Sequence, residues 1–321
     1  MTKKVAVLWD ERYIQGNSGY DSPFLNGKLR KAMEYMTKRG RKKGLDIYTA
    51  HFSSYKKGRL KEAYFFRKGR WSLTHNVKID LVFDKFYFTE ETKDLKYRIS
   101  KEISIFNEPE FEELCKDKYR LYQRFPEKIP KTFKADIRKI ENIYEKIKTE
   151  KVVVKPRFGS AGESVEIIEK KDMVKKLEGL DKKRLEAGDI LLQEFKDSSS
   201  GIPSLGIKNV HDLRIILVNG KPSYSFLRIP DKGYVSNVSR GGKIKAVNLE
   251  EIPEEAIEMV EEVDKVLSCY ENRIYSADLI FDADGRPWII ELNSKPGIKF
   301  ADDQVTETKK CFIDDIVKTL A

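Results

Sequence analysis

Apolar positions along the chain fall into continuous runs, helical spacings and alternations, and each pattern predicts an element. Residues 5–9, Val-Ala-Val-Leu-Trp, are an unbroken apolar run ending at Asp10, the signature of a buried parallel strand. Leu29, Met33 and Met36 then recur at helical spacing among basic residues, Leu45-Asp46-Ile47-Tyr48 reads as a second strand, and residues 79–84 as a third. This strand, helix, strand order predicts a small open α/β layer over the first 105 or so residues. Residues 110–122 predict one helix with Phe111, Leu114 and Tyr119 inward, and residues 136–148 another with Ile137, Ile140, Tyr144 and Ile147 in step with the 3.6-residue period. Strands are predicted at 151–156, 164–168 and 190–195, with a short helix at 173–177. After the connector Ser198-Ser199-Ser200-Gly201, hairpins turning at Asn219-Gly220 and Asp284-Gly285 flank a helix over 253–270. Both dipeptides favour two-residue type I′ loops.

The length of 321 residues sets a prior of two domains or three small ones, at roughly 150 residues per domain. The net charge of +10 is concentrated: residues 28–70 hold fifteen Lys/Arg against three Asp/Glu, a local +12, so the rest of the chain sums to −2. A localised basic face predicts an acidic partner. The apolar run at 5–9 is too short for a signal segment or a membrane span, so a cytoplasmic protein with no membrane partner is expected. Cys115, Cys269 and Cys311 are too scattered for a disulfide framework, and His51, His75 and His211 too scattered for a zinc site.

The second hairpin carries the most chemistry. With Asp284 and Gly285 as loop residues, Asp278 falls directly opposite Glu291, with Asn293 two positions further along the same face. Leu279, Phe281, Ile290 and Leu292 fill the alternate face. Facing carboxylates repel unless a cation lies between them, and two carboxylates plus an amide suit Mg²⁺ bound as a nucleotide complex. A solvated strand face is the competing explanation. Lys155 leaves the strand Val152-Val153-Val154 and enters Pro156-Arg157-Phe158-Gly159-Ser160-Ala161-Gly162. Such a loop can close its N–H groups over phosphates while the lysine meets them as a point charge. Neither a P-loop nor a Rossmann glycine motif is present.

Taken in order, these segments resemble the ATP-grasp superfamily, and within it the carboxylate-amine ligases similar to glutathione synthetase and the ribosomal-protein glutamate ligases. The resemblance covers residues 107–297. It implies an α/β (α+β) ATP-grasp fold in three units: a small open α/β domain at 1–108, an ATP-grasp small subdomain at 109–195 and a large subdomain at 196–321. It implies that Lys118 and Lys155 are the phosphate lysines, with Gly159, Ser160, Ala161 and Gly162 as the small-residue loop. Gln193-Glu194-Phe195 becomes the hinge whose backbone meets adenine. Asp212 and Arg214 match the family's Asp-x-Arg strand, Asn237 and Arg240 the acceptor-side segment, and Asp278, Glu291 and Asn293 the magnesium triad. ATP is then the nucleotide, with two Mg²⁺ ions that Mn²⁺ can replace, and the substrates are a carboxylate and an amine, an amino acid or peptide of acidic character. The family places an arginine just before Ser-Asn where this chain has Val235, so either Arg240 or Arg214 covers that role or the electrophile is handled differently.

The expected reaction is amide formation through an acyl phosphate, releasing ADP and phosphate. A kinase phosphorylating a hydroxyl keeps the same nucleotide site. Nucleic-acid binding through Tyr64, Phe65, Phe66 and Trp71 among their basic neighbours would use base stacking, but the same residues suit a core strand, and no compact recognition motif accompanies them. Arg228 and Lys232 are read as grips for an acidic substrate. Oligomeric state is not legible.

Overall fold

The structure, a computed structural model, describes residues 2–14, 22–159, 164–230, 233–234, 243–300 and 303–321, with only the helical backbone for 303–305. Three sheets organise it. The first is built from β1 (Lys3–Trp9), α1 (Gly27–Lys42), β2 (Leu45–His51), β3 (Tyr55–Lys56), β4 (Arg59–Arg67), β5 (Arg70–Lys78), β6 (Leu81–Asp84), α2 (Glu90–Glu102) and β7 (Ser104–Phe106). Strand order is β3-β4-β2-β1-β6-β7, with β5 paired to β4. The centre is parallel, β1 lying between β2 and β6, which is why Val5 to Leu8 are fully buried on both faces. Helix α1 starts where the Asn26 side chain accepts from Leu29 N–H, and it packs Leu29, Ala32, Met33 and Met36 inward.

The second sheet is antiparallel in the order β10-β9-β11-β8. Its segment runs α3 (Pro109–Lys116), α4 (Lys118–Arg124), β8 (Thr132–Lys134), α5 (Ile140–Lys146), β9 (Lys151–Pro156), β10 (Glu166–Glu169), α6 (Met173–Glu178), α7 (Lys182–Glu186) and β11 (Ile190–Glu194). The third, also antiparallel, has the order β14-β13-β12-β15-β16. It comprises β12 (Asp212–Val218), β13 (Lys221–Ile229), β14 (Lys243–Val247), β15 (Ile274–Phe281) and β16 (Pro287–Asn293), with α8 (Glu254–Leu267) and α9 (Asp303–Leu320). One core joins the first sheet, α1, α9 and one face of β12 and β13; another lies under the opposite face, against α3, α4 and α8.

Several expectations need correction. The helix expected over 110–122 is two helices, because Asp117 leaves helical geometry and its side chain accepts from Tyr119 and Arg120 N–H as the cap of α4. Over 136–148, residues 137–139 form a 3₁₀ turn; Ile137 and Tyr144 are exposed, and Ile140, Ile143 and Ile147 make the buried face. Residues 59–78, not resolved into strands by the sequence, form the β4–β5 ribbon. Its aromatics are used in packing: Phe65 stacks on Tyr48, and Trp71 packs against Phe24 and Phe66.

Asn219-Gly220 is a two-residue turn with positive φ at both positions, as expected of type I′. The Asp284-Gly285 turn differs. Phe281 pairs with Pro287, and Gly285 N–H bonds to Asp282 C=O, giving a three-residue loop with left-handed Gly285. A bulge beyond Leu279 then restores the register, so that Asp278 still faces Glu291 and Ser276 faces Asn293. In consequence Ile289, not Ile290, is the core residue, and Ile290 turns toward the cleft described next.

Candidate active site

A cleft of about 370 Å³ lies between the second and third sheets. Val153, Ile167, Phe195, Ile280 and Ile290 give it apolar walls, while Lys118, Lys155, Asp212, Arg214, Arg228, Asp278, Glu291 and Asn293 supply its charged and polar groups. This combination suits a flat apolar ring joined to a polyanion.

Lys118 opens α4 directly after the Asp117 cap, and Asp117 is itself clamped by Arg157 through two bonds of 2.7 and 2.5 Å. That clamp fixes the helix start against the loop following β9. Lys118 Nζ donates to Gly159 C=O at 2.6 Å and lies 3.6 Å from Glu291. Lys155 is buried on β9 and donates to Gln193 Oε1 at 2.8 Å. Burial, then the neighbouring Lys118, push its pKa down to about 7, against an opposing pull from Glu291. A buried lysine with this environment is strongly receptive to an anion.

The Gln193 side chain is buried, accepting from Lys155 and donating to Pro130 C=O and Thr132 Oγ1. It positions the lysine. The N–H groups of Glu194 and Phe195 are taken by the Lys131 and Lys151 carbonyls, and the Glu194 carboxylate accepts from Lys148 N–H. The Phe195 ring is packed edge-on against Tyr234 at 5.0 Å.

On the opposite wall, pairing of β12 with β15 sets Arg214 beside Asp278, and pairing of β12 with β13 sets Asp212 beside Arg228. Arg214 holds Asp278 in a fork of 2.6 and 2.5 Å, Arg228 adds a bond of 2.6 Å to Asp278 and a second to Asp212, and Asn293 Nδ2 lies 3.3 Å from Asp278 Oδ2. Burial pushes the Asp278 carboxyl up, but the two arginines outweigh it and hold it below the usual range. Asp212 goes the other way, pushed up to about 7 by burial and by Asp278, with Arg228 and Arg214 opposing. Arg228, read from sequence as a substrate grip, is thus part of the carboxylate cluster.

The donor set fits Mg²⁺. Asp278 and Glu291 are opposed across β15 and β16 with Asn293 on the same face, and all offer hard oxygens. Among the described residues Asp278 Oδ1 accepts only from Arg214, and Asp212 Oδ1 is buried with no hydrogen-bond partner. No cluster of three or more His, Cys, Asp or Glu able to hold a metal occurs among the described residues. His211 is structural: buried, it accepts from Phe281 N–H. Ser160, Ala161, Gly162, Lys232, Asn237 and Arg240 lie outside the described residues. The sequence reading missed Arg157, whose only signal was its place beside the Gly/Ser loop.

Against known proteins, the family model for the RimK-like ATP-grasp domain matches residues 117–316. Among solved structures, the chain is similar to the RiPP-associated ATP-grasp ligase of Chryseobacterium gregarium, solved with ADP and a leader and core peptide (TM-score 0.65, 14% identity, 100% of this chain and 98% of that one). It is also similar to the D-cycloserine synthetase DcsG (TM-score 0.63, 13% identity, 99% and 100%) and to D-alanyl-alanine synthetase A of Vibrio cholerae (TM-score 0.60, 13% identity, 100% and 98%). At such identities the likeness is one of fold. No curated protein sequence matches the chain.

Proposed function

The chain belongs to the RimK-like ATP-grasp family, and from that premise we propose that it joins a carboxylate to an amine at the expense of ATP, by way of an acyl phosphate. The observation that carries this reading is the cleft itself, where Lys118 and buried Lys155 on one wall face Asp278, Glu291 and Arg214 on the other. In this reading the adenine lies among Val153, Ile167, Phe195, Ile280 and Ile290, and the two lysines meet the phosphates. A substrate carboxylate oxygen attacks the γ-phosphorus, ADP leaves, the amine attacks the carbonyl carbon, and phosphate departs with the former carboxylate oxygen. Arg214 neutralises charge on the moving oxygens, from a side chain already oriented by Asp278. Mg²⁺ on Asp278, Glu291 and Asn293, proposed as two ions replaceable by Mn²⁺, would supply further neutralisation of phosphate charge.

Residues 1–108, 109–195 and 196–321 act in this proposal as a docking unit, a nucleotide-lid unit and a metal-bearing unit. Ser160, Ala161 and Gly162 extend the lid, and Asn237 and Arg240 the acceptor side. The basic segment 28–70 favours an acidic peptide or amino acid as partner. Because its aromatics are spent on packing, nucleic acid is disfavoured. No described helix is long and apolar enough to cross a membrane; with three free cysteines, we place the protein in the cytoplasm.

The test is a panel of carboxylates with ATP and hydroxylamine. An ATP-dependent hydroxamate is expected, whereas a stable phosphorylated hydroxyl product would make the protein a kinase.

A further inference from the structure

Strand β16 ends at Asn293, and each of the next three residues is gripped by side chains from the ends of β6 and β7 or from α3. Ser294 C=O accepts from Asn107 Nδ2, which also donates to Ile274 C=O at 2.8 Å, while Asn107 Oδ1 accepts from Ile274 N–H at 2.5 Å. One buried carboxamide, directly after β7, thus ties the start of β15 to the end of β16. Lys295 Nζ bonds Glu112 and lies 3.1 Å from the Asp84 carboxylate. Pro296 C=O accepts from Lys85 Nζ at 2.9 Å, and Asp84 and Lys85 are the last residue of β6 and the one after it.

The grips are themselves held. Lys96, fully buried on α2, bonds the Asp84 carboxylate and lies 3.2 Å from Glu112 Oε2, so two lysines and two carboxylates close a neutral network. None of Asp84, Lys85, Lys96, Asn107, Glu112 and Lys295 is among the described residues that line the cleft. Stability alone does not call for such an arrangement, because packed apolar side chains of similar volume often serve a core as well as buried ion pairs do. Charged and amide bonds add direction: they fix the position and rotation of a backbone segment that apolar contact would let slide. A metal ligand needs that accuracy, since the groups behind it set how well it is aimed. Asn293 Nδ2 lies 3.3 Å from Asp278 Oδ2, which places its amide beside the carboxylate that faces Glu291.

We infer that the ends of β6 and β7 aim Asn293 at the metal through these grips on residues 294–296, with Lys85, Lys96 and Asn107 as positioning residues. The inference rests on the metal–nucleotide reading of the cleft. Its test is calorimetric titration of the full-length protein with ADP in EDTA and with ADP saturated with Mn²⁺. Lys85→Met removes the grip on Pro296 from outside the cleft. In a second variant, Lys96→Met with Glu112→Gln, one lysine and one carboxylate leave together and the network stays neutral. Asn293→Ala is the reference for a lost ligand, and Gly220→Ala, in the turn between β12 and β13, the reference for lost stability alone.

Mn²⁺-saturated ADP should bind the wild type more tightly than ADP in EDTA. Lys85→Met and the double variant are expected to lower the affinity for Mn²⁺-saturated ADP about tenfold, the scale of losing a group that orients a metal ligand, and to leave metal-free ADP binding unchanged. Asn293→Ala follows the same pattern, and Gly220→Ala changes neither affinity. An Mn²⁺ advantage intact in either positioning variant, while Asn293→Ala loses it, would overturn the inference. Equal losses with and without Mn²⁺, or the same selective loss in Gly220→Ala, would overturn it too, since they mark general damage to the cleft or to the fold. An advantage that survives Asn293→Ala would remove the amide from the metal set and the inference with it. The ligase reading fails separately: a selective loss in the positioning variants, with no hydroxamate from any acid, keeps the inference and sinks the ligase.

Discussion

Lys155 is where a single side chain says most about the ligand. Its folded pKa of about 7 lies below that of an unfolded lysine, near 10.4. Between about pH 7 and 10 the unfolded chain therefore binds a proton that the folded chain does not. The contribution of Lys155 to stability accordingly rises with pH across that window, and below it the burial cost is paid in full. Phosphate at Nζ would reverse the shift. Nucleotide binding at about pH 8.5 should then draw close to one proton from solution, read as a dependence of calorimetric enthalpy on buffer ionisation enthalpy. Lys155→Met should abolish this uptake while remaining folded, and uptake unchanged in that variant would remove the lysine from the phosphate site. Lys155 is legible from sequence because a lysine leaving an apolar strand is locally unusual, whereas Lys118 enters through the resemblance alone. Gln193 was legible as a position but not in its role, since its partners Pro130, Thr132 and Lys155 come from other strands.

At the scale of elements, the two hairpins show how far turn chemistry carries. Asn219-Gly220 specifies its turn, and packing behind it makes the glycine mandatory: a Cβ on Gly220 would lie 2.2 Å from Asp264 Oδ2 and 3.1 Å from Arg273, at φ +82°. Asp264 there anchors Arg273 and the Tyr275 hydroxyl. Gly285 has a similar φ of +78° but open space around it. Gly285→Ala should cost about 1 kcal/mol of backbone strain, and Gly220→Ala distinctly more, about 3 kcal/mol, because a buried ion pair must also shift. Urea midpoints of the two variants check this, and equal losses would show that the Asp264 contact does not matter. The facing of Asp278 and Glu291 was legible through a two-residue loop that the structure does not have. The same register arises from a three-residue loop plus a bulge at Ile290, and alternating apolar residues fit either solution. The break at Asp117 carried its own signal, an aspartate two and three residues ahead of the N–H groups it caps.

Across the whole molecule, the first sheet and the segment following the β15–β16 hairpin are joined by buried charge. Lys96 is fully buried, bonded to Asp84 and to Phe86 C=O, and 3.2 Å from Glu112. Lys295, two residues past Asn293, bonds the same two carboxylates. Lys96→Met should destabilise the protein by about 3–5 kcal/mol by leaving two buried carboxylates to one lysine; a midpoint within error of wild type would show that water or Lys295 replaces it. Nothing in the sequence announced this network, because lysine is ordinarily exposed and its partners are far apart in the chain. The open α/β first layer and the strands of both later hairpins were legible from the apolar pattern, whereas the grouping of the strands after residue 109 into two sheets was not. Part of the charge of residues 28–70 is structural: Arg39 is spent on Asp314 and Arg41 on Phe66 C=O.

The central claim is that a substrate carboxylate takes the γ-phosphoryl group in this cleft. It is tested most directly with an acid that gives hydroxamate, labelled with oxygen-18 in its carboxylate and supplied with ATP and an amine. The released inorganic phosphate should carry one oxygen-18 atom per ADP formed, and Glu291→Ala should form neither product. Unlabelled phosphate, or full activity in Glu291→Ala, would contradict the account.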